Sequence, residues 1–259
     1  MTGQLSKASL DPRARLDKIV SRYQHDANRL RVASSAIDAG VLWEALADHG
    51  FLTALGGVEV LRTDLANQIT VTAVSCVDVA IKDLRITLAT SYLMLRYHHD
   101  IFKMTFPAAV ARIAIEEMAE GRRWDDFGQG YALAEDAIRR DMAKENFQGW
   151  RGLVEGYKDI GINLADFLQN PQSREDLTAA LGLDSSASEN NTLGAMKACV
   201  DGVSTRRHEI VHRLGYDSAQ LGNRQEPLPF RETNKFLTVA GLLLGWSVDV
   251  LKLRCDGID

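Results

Sequence analysis

Residues 69–81 read ITVTAVSCVDVAI, and whether this run is a strand or part of a helix decides the fold class. Its β-branched residues favour a strand. Its surroundings favour a helix. Neither Gly nor Pro occurs from Val58 to Phe106, and Leu65, Ile69, Ala73, Cys76, Ala80, Leu84, Leu88, Ser91 and Leu95 recur every three or four residues. That spacing marks one apolar face of a helix, so it predicts a long helix, or two end to end, with the strand as the rival reading.

Outward from this run, helical spacing recurs at 12–31, 39–49, 107–119, 131–145, 150–169, 174–181, 192–214 and 231–254, and only five prolines interrupt 259 residues. No β-hairpin signal stands out, so the expected class is all-α, a helical bundle. Residues 1–57 are expected to form a small helical extension on a helical domain at 58–259. Polar DSSASENN at 184–191 reads as a linker inside that domain, because the helix after it needs partners.

At 46% apolar and 25% charged, the composition is that of a globular chain with a core, which excludes disordered and fibrous classes. The net charge of −5 provides no global basic footprint, so nucleic-acid contact would have to come from a local cationic site. Cys76, Cys199 and Cys255 are odd in number and far apart, against both a disulfide framework and a thiolate zinc site. MTGQLSKASLDPRARL at the start has no apolar signal core, and a cytoplasmic setting is expected. FLTVAGLLLGWSV at 236–248 is too short to span a bilayer and reads as a buried helix, with Phe236, Ala240, Leu243, Trp246, Val250 and Leu253 on its core face.

The chemistry concentrates in STRRHEIVHRLGYD at 204–217. Leu193, Met196, Val200, Val203, Ile210 and Leu214 form an apolar stripe in which position 207 is an arginine. A guanidinium there must find acceptors or reach water along the edge of the stripe. His212 lies five residues on, about 140° round the helix, and Gly215 is placed to end it.

Two readings of this string compete. As HEIVH, it offers His208 and His212 one turn apart as zinc ligands, Glu209 as a general base and Glu232 as a third ligand, the pattern of a zinc metallopeptidase. Positive charge from Arg206, Arg207 and Arg213 argues against a divalent ion, and no upstream strand is evident to align a peptide. As RHEIVH, it is an arginine, a polar residue, three more residues and a histidine at the end of a helix.

In this second form the string resembles the signature of the HEPN superfamily of all-helical domains, and within it the RiboL-PSP-type group, whose motif typically reads Arg-Asn-x-Ile-x-His-Gly. The layout is similar over roughly residues 60 to 255: a long early helix containing SCVDVAIKDL, a variable middle insertion, a penultimate helix with the motif and a final apolar helix. Only the short motif is specific. It departs from the family in having His208 in place of the commoner Asn or Asp, and Arg213 rather than Gly after His212. Tyr216, four residues past His212, is not at the spacing of the tyrosine modified in another branch, so that regulation is not inferred.

The resemblance implies a homodimeric endoribonuclease that needs no metal or other cofactor, acts as a toxin or antiphage effector, and answers to an antitoxin or defence-system partner. Arg207 and His212 would be catalytic, with His208 beside them. Asp78 aligns loosely with a supporting acidic residue of the first helix, and Glu209 is a second candidate support. An imidazole can take the proton of a ribose 2′-hydroxyl. Arg207 would stabilise the charge that builds on phosphorus. Arg206 and Arg213 would hold flanking phosphates of an RNA, with a structured one such as tRNA suiting an acidic protein.

The same helices and motif also fit a non-enzymatic dimerisation or partner-binding module, in which Arg207 and His212 are ion-pair members. Elsewhere, His98 and His99 read as surface or packing residues before metal ligands, and Trp124 in GRRWDDFGQGY as a loop anchor before a base-stacking platform.

Overall fold

A computed structural model describes residues 11–39, 43, 58–95, 132, 135–136, 138–140, 142–213 and 228–256. The run at 69–81 is helical throughout, inside a helix spanning Val58–Leu95. It is α2 in a chain that begins with α1 (Pro12–Asp38) and continues with α3 (Gly149–Asp159), α4 (Leu164–Gln169), α5 (Pro171–Leu181), α6 (Glu189–Arg213) and α7 (Phe230–Asp256). No strand occurs among the described residues, and the fold is all-α.

The β-branched residues of α2 are explained by burial on more than one face. The expected stripe through Ile69, Ala73, Ala80, Leu84 and Leu88 is buried, and so are Val74, Val77 and Ile81 beside it. From Asp83 to Ser91 every residue is buried. A helix packed on several sides needs no single apolar stripe, and β-branched packing overrides intrinsic propensity.

α1 and α7 both lie against α2, α5 packs on α7, and α6 packs on α2, α5 and α7. One core cluster joins Leu16, Tyr23 and Ala27 of α1 to Leu84 of α2, Val200 of α6 and Leu243 of α7. The α1 helix therefore builds the same core as the rest. Tyr23 seals this junction by donating its hydroxyl to the Leu237 carbonyl at 2.7 Å. A smaller cluster sets Ile86 and Ala89 of α2 against Ile138 and Met142.

One helix was expected over 150–169 and two are found. Gly161 adopts φ 70°, a left-handed conformation that favours glycine, while Ile162 donates back to the Tyr157 carbonyl at 2.9 Å. Asn163 then starts α4 by accepting from the Ala165 amide at 3.1 Å. Asn170 and Pro171 start α5 in the same manner, with Pro at the first helical position.

α7 corrects the reading of the apolar run at 236–248. It is one helix within which Phe230–Cys255 is long and apolar enough to cross a membrane by length and composition, and half of its most apolar window is buried inside the fold. Phe236, Ala240 and Leu243 are buried as expected, whereas Leu253 is 71% exposed and Leu251 and Cys255 take the core positions. The expected helices at 39–49 and 107–119, apart from Ala39 and Trp43, lie outside the described residues. So do His98, His99, Trp124, Leu214, Gly215 and Tyr216.

Candidate active site

The end of α6 is positioned by what its middle holds. The α3 helix begins at Gly149 with no side-chain cap of its own, since Gln148 makes no cap hydrogen bond. Its orphan amides are taken from outside: Asp201 of α6 accepts from Trp150 N–H at 2.8 Å, and Ser204 accepts from Gly149 N–H at 3.0 Å. Asp78 of α2 accepts from Phe147 N–H at 2.9 Å just upstream and pairs with Lys82 at 2.9 Å. The entry to α3 thus fastens α6 to α2, about one turn before the motif begins. Sequence spacing did not single out Asp201 or Ser204; an uncapped α3 start was the only available signal.

Past this clamp, Val203 is the last fully buried apolar residue of the α6 stripe among the described residues. At 100° per residue, position 206 lies about 60° to one side of Val203 and position 207 about 40° to the other. Both arginines straddle the stripe. Arg206, only 5% exposed, enters the fold, donating to the Asn67 Oδ1 of α2 at 3.2 Å and pairing with Glu209 at 3.5 Å. This differs from the expected surface arginine holding a phosphate. Glu209 in turn is committed to Arg206.

Arg207 is half-buried, with its Nε buried and without a hydrogen-bond partner among the described residues. His208 and His212 are exposed on one face, their ring centroids 4.3 Å apart and their planes inclined at 46°. Arg213 is the last residue of α6. Arg207, His208 and His212 therefore share the last two turns of one helix, beside a buried arginine that fixes the helix to α2.

Asp78 does not join them. It lies eleven residues along α2 from Asn67, a rise of about 16 Å, and its bonds go to the α3 entry. Glu232 pairs with Lys235 at 3.2 Å and Arg231 at 3.3 Å. Among the described residues no group of three His, Cys, Asp or Glu side chains is arranged to hold a metal, so the zinc-peptidase reading lacks its third ligand there. Cys199, two turns before the motif, has its thiol pushed up to about 11 by burial, with Lys235 opposing the shift. It is a neutral thiol at physiological pH.

Comparison with protein-family models, with curated proteins and with solved structures finds no match to this chain.

Proposed function

We propose that the chain is a metal-independent endoribonuclease of the HEPN type. The observation that carries the reading is the division of labour at the end of α6. Arg206 and Glu209 are engaged with each other, while Arg207 has no ion-pair partner among the described residues and stands beside two exposed histidines. A cation left without a carboxylate next to an imidazole pair suits an anionic substrate.

In the proposed reaction, His212 takes the proton from a ribose 2′-hydroxyl, and that oxygen attacks the adjacent phosphorus. The bond to the 5′-oxygen of the next nucleotide breaks, and that oxygen receives a proton from an imidazole, with His208 within reach to share the transfer. Arg207 stabilises the charge on the non-bridging oxygens. The products are a 2′,3′-cyclic phosphate and a 5′-hydroxyl. Arg213 would contact a flanking phosphate. Two copies of the chain would present both α6 ends to one cleft, and Val211, 44% exposed on this surface, offers the second copy an apolar contact. The substrate class is a structured RNA such as tRNA, the setting a toxin or antiphage system in the cytoplasm.

Incubating the purified chain with total cellular RNA in EDTA, beside Arg207→Ala and His212→Ala, tests this reading. Chelator-resistant cleavage that both variants lose is expected. Intact RNA with a folded, dimeric wild type would instead favour the partner-binding module.

A further inference from the structure

A cavity of about 450 Å³ lies where α1 meets α2 and the helical residues at 138–140. Its position is separate from the α6 motif: Asp83 at its floor is sixteen residues along α2 from Asn67, a rise of about 24 Å. The volume falls within the range of roughly 300–1,000 Å³ that takes small molecules and cofactors.

Its described lining is rich in cations. Arg15, Lys18 and Arg22, spaced three and four apart on one face of α1, line it together with Arg139. Among the described residues, the carboxylates bonded to these cations are Asp83 in the floor and Glu135 alongside. Asp83 receives Arg22 and also Arg139, the latter at 3.2 Å. Glu135 receives Arg15 at 2.7 Å and Arg139 at 3.0 Å. These bonds orient the guanidinium groups, and Arg22 and Arg139 stay about half exposed, at 50% and 52%, so a ligand in the cavity can reach them. Lys18 has no ion-pair partner among the described residues. Buried Ile19 and Ile86 add an apolar wall to the same space.

We propose that this cavity binds a phosphorylated small molecule of nucleotide size. The phosphate would sit against Lys18 and Arg22, and the apolar or planar remainder against Ile19 and Ile86. A phosphate suits Lys18, which has no carboxylate partner among the described residues, and the half-exposed arginine forks beside it suit its oxygens. The proposal does not depend on the ribonuclease reading.

Isothermal titration of the full chain with ATP, the four ribonucleoside monophosphates, adenosine and inorganic phosphate tests it, beside Lys18→Ala and Arg22→Gln. Both substituted side chains are exposed, and circular dichroism verifies that the variants fold. At least one nucleotide is expected to bind, more weakly as salt rises, with adenosine silent and affinity falling roughly tenfold in each variant. Silence from every nucleotide, or binding that both variants retain, overturns the proposal. Inorganic phosphate binding as tightly as the best nucleotide overturns the nucleotide-sized ligand in favour of a free anion. Single-stranded RNA outcompeting nucleotides, with the same dependence on Lys18, overturns it in favour of an RNA-binding surface.

Discussion

Arg206 and Arg207 are neighbours in sequence and separated by 100° of helical rotation, so one is fastened inside the fold and the other is left at its edge. Replacing Arg206 by Ala deprives Glu209 and Asn67 of their cation. Urea unfolding is expected to show a loss of about 3 kcal/mol. Arg207→Ala is expected to cost less than about 1 kcal/mol and to remove cleavage, which separates stability from activity when the two variants are measured side by side. The spacing in the sequence placed Arg207 in the apolar stripe, whereas Arg206 is the buried one, because positions three and four after Val203 fall on either side of it. Arg206 became the buried residue because Asn67 waits on α2 and Glu209 one turn on, and neither relation is visible in local spacing.

A second residue-scale consequence concerns pH. Arg85, with its side chain 4% exposed, joins α2 to Glu145 and, at 2.8 Å, to Asp159. Burial holds the Asp159 carboxyl above its ordinary range, reinforced by nearby Glu145 and Glu155 and opposed by Arg85. A folded carboxyl that keeps its proton longer than the unfolded one means the unfolded state binds fewer protons in the window just above about pH 3.9. Through that window this group makes stability fall as pH rises. Asp159→Asn is expected to flatten that part of the stability profile in urea titrations at stepped pH.

At the scale of elements, α2 and α3 approach so closely that a side chain on Gly156 has no room. A Cβ there would stand 2.7 Å from Ile81 Cγ2 and 2.9 Å from Phe147 Cδ1. Gly156→Ala is expected to destabilise by about 1–3 kcal/mol in thermal or urea unfolding, despite alanine's better helix propensity. The existence of most described helices was legible, since α1, α2, α6 and α7 follow their three- and four-residue spacing. The division of 150–169 was carried by Gly161 and Asn163, a left-handed turn followed by a cap, which apolar periodicity does not register. On α7 the buried set drifts from the Val250–Leu253 side to Leu251 and Cys255, as a 3.6-residue period does over many turns.

For the whole molecule, the division at residue 57 separates chain segments that share one core. Leu16, Tyr23 and Ala27 are packed with α2 and α7, and removing them opens that core to water. A chain starting at residue 58 is expected to be insoluble or to lack cooperative unfolding, as calorimetry would show, while the full chain unfolds in one step. The sequence made the helical class legible, but not this shared core, because an amphipathic helix looks the same whether it caps a domain or completes it. Of the candidate site, Arg207, His208 and His212 were legible as a group. The anchoring of α6 through Asp201, Ser204 and Arg206 was not, because it depends on the distant residues Trp150, Gly149 and Asn67.

In the proposed function, Arg207 and His212 cut RNA through the substrate's own 2′-hydroxyl. The most direct test is single-turnover cleavage in EDTA of two strands with the same sequence, one all-ribose and one 2′-O-methylated throughout, by the wild type, Arg207→Ala and His212→Ala. The account predicts that only the wild type cuts, that it cuts only the ribose strand, and that the upstream fragment ends in a 2′,3′-cyclic phosphate. Cleavage of the methylated strand, undiminished cleavage by either variant, or an untouched ribose strand carrying a cellular target sequence would contradict it.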